Sequence, residues 1–339
     1  PFLNGGLFER DDNDKRKGLR VPDECFPRIF RELFGGFNFT VTESTPFDED
    51  VAIDPEMLGR VFEELVVGRH ESGSYYTPKP IVAFMCHEAL KGHLATHLPQ
   101  VDKKAIEDFV DDYDASLIKP YAPEVLDALR KITVCDPACG SGAYLLGMLH
   151  ELMHLRNCLF DAAKIDAVTA YNRKLEIIHN NLYGVDLEAF AVNIARLRLW
   201  LSLAMEYEGD APPPLPNLDF KIECGDSVLG PRITSVQDDL FDGVNQIENW
   251  ARGLARQKEQ YMKATGCIKE QLRDAIVAQE KRIKHSMEES LYRRDDGKPV
   301  FFWRVQFFEV FAQGGFDVMI ANPPFVRQEV LKPIKQRLK

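Results

Sequence analysis

The segment Val-Cys-Asp-Pro-Ala-Cys-Gly-Ser-Gly-Ala-Tyr at residues 134–144 decides the predicted fold of this chain. It has the pattern of a short apolar strand over 132–136 that ends in an aspartate, a glycine-rich turn, and a helix over about 141–157. Gly140 and Gly142 lack a Cβ, so the backbone can turn tightly there and approach a ligand closely. The N–H groups at the helix start point towards whatever is bound. The segment therefore predicts a nucleotide-like ligand.

The same alternation of strand and helix continues along the chain. Because strands that alternate with helices form parallel sheets with right-handed crossovers, the predicted fold class is α/β. The later strands and helices that carry this prediction are expected over 162–180 (helix), 182–186 (strand), 188–205 (helix), 220–224 (strand) and 316–321 (strand).

Three of the predicted strands end in an aspartate or lead directly to one. Asp136 and Asp186 are the last residues of their strands, and Asp226 closes the third strand after Gly225. Open parallel sheets hold their ligands over the carboxyl ends of the strands. A carboxylate at a strand end suits ribose hydroxyls or an ammonium group better than it suits phosphate. The structural alternative for each aspartate is an ordinary helix N-cap.

Two further motifs reveal a family resemblance. Asn322-Pro323-Pro324-Phe325 follows the last predicted strand, and Tyr75-Tyr76-Thr77-Pro78 lies upstream of the glycine turn. With that turn, these motifs resemble the adenine-specific DNA methyltransferases that use S-adenosylmethionine, in the group whose cofactor motif precedes the catalytic motif. The large restriction–modification polypeptides are the nearest likeness, and the resemblance covers roughly residues 1–327.

The resemblance implies a Rossmann-like sheet, S-adenosylmethionine as cofactor and double-stranded DNA as partner. By the same likeness, Thr77 contacts the methionine carboxylate, Asp186 accepts hydrogen bonds from the ribose hydroxyls, and Asp226 accepts from the adenine amino group. The full set of cofactor residues expected from it is Thr77, Asp136, Pro137, Ala138, Gly140, Gly142, Asp186 and Asp226.

The catalytic residues expected from the resemblance are Asn322, Pro323, Pro324 and Phe325. The exocyclic amine of adenine is a poor nucleophile because its lone pair is conjugated with the ring. Acceptor oxygens on the Asn322 side chain and the Pro323 carbonyl would draw its hydrogens and expose that lone pair. The prolines hold both oxygens in place before the reaction, and Phe325 offers an apolar face to a base taken out of the duplex.

Two other functions stay open at this point. A protein glutamine-amide methyltransferase would use a similar Asn-Pro-Pro turn, because an amide nitrogen poses the same conjugation problem. A non-catalytic cofactor- or partner-binding fragment is the other alternative. The motif His-Glu-Leu-Met-His at 150–154 has the spacing of a zinc-protease helix. It falls on the helix after the glycine turn without a clear third ligand, so two structural histidines are predicted and no metal.

The predicted organisation has three parts: an irregular junction over 1–50, a helical region over 51–130, and the methyltransferase core over 131–339 with a helical insertion at about 245–290. The helical region is expected to contain helices over 55–67 and from Pro78 onwards, the latter marked by Ile81, Phe84, Met85 and Leu90. The sheet should stop at its fourth strand and leave an exposed edge. By the resemblance, a target-recognition domain is expected outside this chain, and whether a nuclease is fused to it stays open.

Composition limits the remaining classes. The 339 residues are 45% hydrophobic with a formal net charge of −11, which argues against a surface that coats nucleic acid throughout. No apolar run approaches the length of a membrane helix. Seven scattered cysteines favour a reducing compartment, and a cytoplasmic location is expected.

Overall fold

The computed structural model describes residues 22–28, 31, 38–39, 52–53, 77–160, 167–207, 218–228, 241–264, 266–288 and 301–323. Some predicted features lie outside these ranges: the helix over 55–67, Tyr75, Tyr76, Pro324 and Phe325.

A four-stranded parallel sheet forms the centre of the protein, which confirms the α/β fold class. The strand order is β3-β2-β1-β4, and every pairing is parallel. The second strand has the predicted bounds, and the others are shorter than predicted at their first residues or at both ends. The strands are β1 (Val134–Asp136), β2 (Leu182–Asp186), β3 (Ile222–Cys224) and β4 (Val318–Met319).

Helices precede the first strand of the sheet and connect its successive strands. In chain order they are α1 (Lys79–His97), α2 (Lys103–Asp111), α3 (Ala122–Lys131), α4 (Ala143–Leu159), α5 (Ala167–Asn180), α6 (Ala189–Ala204), α7 (Phe241–Lys263), α8 (Gly266–Glu288), α9 (Trp303–Gln306) and α10 (Phe308–Phe311). Smaller elements are a helical turn over Cys25–Arg28, a parallel pair of short strands (Asn38–Phe39 and Ala52–Ile53), and a 3₁₀ turn over Lys119–Tyr121.

The helix after the glycine turn begins two residues later than predicted. Gly142 has φ +86° and ends the turn in the left-handed region, so the regular helix starts at Ala143. The predicted start at Ser141 was therefore wrong, because a residue with left-handed backbone cannot belong to a right-handed helix.

The two faces of the sheet are covered by different layers. Successive side chains of a strand point to opposite faces. Val134 and Leu182 face the main hydrophobic core with helices α1–α6, whereas Cys135, Tyr183 and Val185 face a smaller cluster. That cluster is built mainly by aromatic residues of the segment before β4, namely Phe301, Trp303, Phe307, Phe311 and Phe316. The aromatic segment thus packs under β1 and β2.

Helix α1 exists as predicted. Of the residues that marked it in the sequence, Leu90 is buried, whereas Ile81 and Phe84 are 49% and 64% exposed. The residues that α1 buries in the main core are Val82, Cys86, Leu90 and Leu94, one helical turn apart. Apolar residues on several sides of this helix made the choice of face ambiguous from sequence.

The predicted insertion is a pair of helices, α7 and α8, that pack against each other. Its inner side chains, Leu254, Tyr261, Ile276 and Ile283, form a cluster with Phe302 and Val305. Lys258 is buried within it and donates a hydrogen bond to the Gln306 carbonyl at 3.0 Å. The hairpin is therefore anchored to the region that supports the sheet.

The predicted domain boundaries remain predictions. Helices α1–α3 belong almost entirely to the predicted helical region over 51–130. Their buried side chains nevertheless belong to the same hydrophobic cluster as those of β1 and β2. Within the described residues, β3 and β4 are the edge strands of the sheet.

Candidate functional site

Two of the predicted motifs follow adjacent strands at the same edge of the sheet. β1 leads into the glycine turn, and β4 leads towards Asn322. The Ile320 amide donates to the Cys135 carbonyl at 3.0 Å, which keeps β1 and β4 paired up to their carboxyl ends. Because both strands are parallel, the glycine turn and Asn322 emerge side by side at the carboxyl edge.

The glycine turn has the left-handed backbone that glycine accommodates. Gly140 has φ +51° and Gly142 has φ +86°. A Cβ at Gly142 would lie 3.0 Å from the Ala195 Cβ and 3.2 Å from its Cα, so this glycine allows α6 to pack closely on the turn. A Cβ at Gly140 would meet nothing within 4 Å. Gly140 thus borders open space, while Gly142 serves internal packing.

The two aspartates nearest the turn organise its backbone. Asp136 is buried and accepts from the Ala138 amide at 3.0 Å. Asp186 accepts from the Gly140 amide at 2.8 Å and from the Glu188 amide at 2.9 Å. Asp186 therefore fixes the turn from the neighbouring strand, a contact that the sequence did not reveal.

Burial perturbs both carboxyl groups. It raises the pKa of Asp136 from its ordinary 3.8 to about 8, against the lowering effect of the Ala138 hydrogen bond, and the negative charge of Asp186 adds to the rise. Burial also raises the pKa of Asp186. Such carboxyl groups favour a cationic or hydrogen-bond-donating ligand, because that ligand stabilises their charged form.

The raised pKa of Asp136 leads to a stability prediction. The folded state holds this proton more tightly than the unfolded state, so the free energy of unfolding should fall as pH rises from about 4 to about 8. In Asp136→Asn, which keeps an oxygen for the Ala138 amide, this contribution should vanish. Urea unfolding across that pH range compares the two proteins. Parallel pH profiles would contradict the perturbed carboxyl.

The end of the third strand is connected to the same turn region. The Gly225 amide donates to the Asp186 carbonyl at 2.9 Å. Asp226, half-buried, accepts from the Val228 amide at 2.9 Å. All three aspartates thus follow neighbouring strands, although each also has a local backbone partner, as the N-cap alternative anticipated.

A buried arginine that the sequence analysis did not single out also supports the turn. Arg198 on α6 is 1% exposed and donates from Nη1 to the Ser141 carbonyl at 2.7 Å and to the Ser141 hydroxyl at 2.9 Å. The available signal was a pair of arginines, Arg196 and Arg198, within the largely apolar helix over 188–205. The charge of Arg198 lies directly behind the glycine turn.

The upstream and catalytic motifs meet directly. The Asn322 Nδ2 donates to the Thr77 Oγ1 at 3.3 Å, across a separation of 245 residues. Thr77 is 7% exposed, whereas Asn322 and Pro323 are exposed. Pro137 and Ala138 are half-buried in the turn. The described members of the predicted cofactor and catalytic sets therefore lie around one edge of the sheet.

The His-Glu-Leu-Met-His motif at 150–154 has a structural role. Glu151 accepts from the Tyr113 hydroxyl at 2.8 Å and lies 3.0 Å from the His87 Nε2, and His154 packs on the Tyr113 ring. Within the described ranges, neither histidine of the motif belongs to a three-residue group of metal-ligating side chains. The same part of the chain contains no helix that combines the length and apolarity needed to span a membrane.

Comparisons with known proteins find matches along most of the chain. The family model described as Eco57I restriction-modification methylase matches residues 180–339, and the MmeI DNA-methyltransferase domain matches residues 118–211. A predicted type II restriction enzyme and methyltransferase of Methanocaldococcus jannaschii is 25% identical over 407 aligned positions, which cover 96% of this chain and 34% of that protein. DNA methyltransferase A of Bacillus subtilis is 25% identical over 189 positions, covering 52% of this chain and 20% of that protein.

The chain thus spans about a third of the archaeal relative and a fifth of the bacterial one. The matched families cover the sheet, the glycine turn and the segment that contains Asn322. By these matches, the chain is similar to the DNA methyltransferases of restriction–modification systems.

Proposed function

We propose that this chain contributes the cofactor site and catalytic turn of a DNA adenine-N6 methyltransferase that uses S-adenosylmethionine. The observation that carries the proposal is the arrangement at one edge of the sheet: Asn322 and the glycine turn follow adjacent parallel strands, and Thr77 contacts Asn322 at 3.3 Å. The names of the relatives make DNA the first substrate to test.

The residues of the turn suit S-adenosylmethionine. Gly140 borders open space, so a ligand can approach its backbone. The raised pKa values of Asp136 and Asp186 favour a partner that is positively charged or rich in hydroxyl donors. When bound, the cofactor supplies an electrophilic methyl group on a positively charged sulfur. Asp136 and Asp186 would hold its cationic and ribose parts, and Asp226 its adenine.

Asn322 has the chemistry that the acceptor amine requires. Its Nδ2 donates to the Thr77 Oγ1, which leaves Oδ1 as the free end of the side chain. The Oδ1 and the Pro323 carbonyl would accept the two hydrogens of the adenine amine and expose its lone pair to the methyl group. The Thr77 contact orients the Asn322 side chain before the substrate arrives, so its oxygen would need little reorganisation during the reaction.

Thr77 acts in this scheme as a positioning residue. An amide side chain has two flipped orientations, and only the one with Nδ2 towards Thr77 presents Oδ1 to the amine. The Thr77 hydroxyl can accept from Asn322 while its own hydrogen donates to an anion, such as the methionine carboxylate predicted as its partner. Both roles require the hydroxyl group, and they affect different steps.

The Thr77→Val substitution separates these roles. Valine has nearly the same shape but lacks the hydroxyl, and Thr77→Ser, which keeps it, is the matched control. Loss of one hydrogen bond to Asn322 should slow single-turnover methyl transfer by about 2- to 10-fold, with serine near the parent rate. Cofactor affinity is measured by calorimetry on the same proteins. A weaker affinity with an unchanged rate would assign Thr77 to the cofactor alone.

The function itself is tested with a labelled methyl group. The full-length protein is incubated with labelled S-adenosylmethionine and either adenine-containing DNA, DNA whose adenines are replaced by an analogue without the amine, or protein substrate. Label in the first DNA only supports the proposal. Label in protein would favour the glutamine-amide alternative, and cofactor binding without transfer to any acceptor would favour the non-catalytic one.

A further inference from the structure

We propose that His93, His97 and Asp317 form a binding site for a first-row transition-metal ion of the Zn²⁺ type, which links α1 to the start of β4. One potential ligand atom from each residue lies within 4.8 Å of the others. The site is separate from the proposed methyl-transfer centre, because Asp317 lies just before β4 whereas Asn322 follows it.

The spacing of the two histidines suits a shared ligand. Residues four apart on a helix lie one above the other on the same face. The rings of His93 and His97 on α1 have centroids 4.1 Å apart. Asp317 comes from a different part of the chain, so an ion held by all three residues would connect two elements that are far apart in sequence.

Each potential ligand is oriented by a second hydrogen bond. His93 Nε2 donates to the Ala128 carbonyl at 3.3 Å, and His97 Nδ1 donates to the His93 carbonyl at 3.0 Å. Each ring therefore keeps one nitrogen for another partner. Metal-binding histidines commonly use the second nitrogen in this way, which fixes the tautomer and the ring orientation.

The carboxylate is fixed in the same manner. Asp317 Oδ2 accepts from the Thr133 amide at 2.7 Å and from the Thr133 hydroxyl at 2.9 Å. These contacts hold Asp317 against the start of β1, while Oδ1 is not used in them. These hydrogen bonds restrict the orientations of the three side chains before any ion binds, which reduces the ordering cost of binding.

The ligand set indicates which ion fits. Two imidazoles and one carboxylate suit Zn²⁺, Co²⁺ or Ni²⁺, whereas Mg²⁺ and Ca²⁺ prefer oxygen ligands throughout. Three protein ligands leave a further coordination position for water. His97 and Asp317 are exposed, so the ion can enter from solvent, and His93 is 7% exposed.

The test uses the purified chain after treatment with a chelator. Co²⁺ is added while visible absorption is recorded, and Zn²⁺ binding is measured by calorimetry. We expect one equivalent to bind and to raise the thermal unfolding temperature, since an ion that binds only the folded state stabilises it. Loss of an outer-shell partner alone typically weakens metal binding by about 10- to 100-fold. His97→Ala and Asp317→Asn each remove a ligand, so each should weaken binding by more than that.

The chain contains a matched control. His150 and His154 have the same spacing on α4 but no such three-residue group among the described residues. The double substitution His150→Ala, His154→Ala should leave binding unchanged, and circular dichroism verifies the fold of every variant. Absence of binding in the parent, equal binding in His97→Ala and Asp317→Asn, or a cobalt–thiolate band that indicates cysteine ligands would each overturn the proposal. None of these readouts depends on methyl transfer.

Discussion

Replacing Asn322 by alanine should lower the single-turnover rate of methyl transfer by about 10²–10³-fold, the usual cost of removing one preorganised polar group from a reaction centre. The side-chain oxygen is one of the two proposed acceptors for the adenine amine. The alanine variant keeps the glycine turn and its aspartates, whose contacts do not involve Asn322. Cofactor affinity, measured by calorimetry, should therefore stay at the parent value.

Asn322→Asp is the companion variant. It keeps an oxygen for the amine but loses the Nδ2 donor that reaches the Thr77 Oγ1. We expect its transfer rate to lie between those of the parent and the alanine variant. An alanine variant that transfers methyl groups at the parent rate would remove Asn322 from the mechanism. Loss of cofactor affinity together with rate would assign Asn322 to cofactor binding instead.

The substitution Gly142→Ala should lower the free energy of unfolding by about 2–5 kcal/mol, from the strain of a left-handed residue and from overpacking. The backbone at Gly142 has φ +86°, and a new Cβ would lie 3.0 Å from the Ala195 Cβ and 3.2 Å from its Cα. The Ala195 backbone cannot move away from the new Cβ unless α6 shifts as a whole. Urea unfolding measures the effect.

Gly140→Ala is the matched control for Gly142→Ala. Gly140 is also left-handed, with φ +51°, but a Cβ there would meet nothing within 4 Å. Its cost should be limited to the backbone conformation, about 1–2 kcal/mol. The open space beside Gly140 is where the cofactor is proposed to approach, so this variant should lose cofactor affinity more than stability. Equal unfolding costs for the two variants would contradict the close packing of α6.

Much of the fold follows from local patterns. The second strand has its predicted bounds, and the helices on either side of it differ from their predicted bounds by a few residues. These elements have strong signals, because a buried parallel strand is a short, largely apolar run between two longer helical segments. The start of α4 was missed because φ at Gly142 depends on how the turn packs.

The candidate site is predictable to a similar degree. The three aspartates and Asn322 were found because each follows an apolar strand, and parallel strands bring their carboxyl ends to one edge. Arg198 and the hydrogen bond of Asp186 to Gly140 were not found, since both depend on which elements become neighbours.

The sequence alone determined that a parallel sheet carries a glycine turn and an Asn-Pro turn, because each turn lies within a few residues of the strand that precedes it. Only the tertiary structure decided that Thr77 reaches Asn322, that Glu151 binds Tyr113, and that α6 closes on Gly142. These contacts join segments that are distant in the chain. Strand order and helix packing bring them together, and no local pattern of residues encodes either.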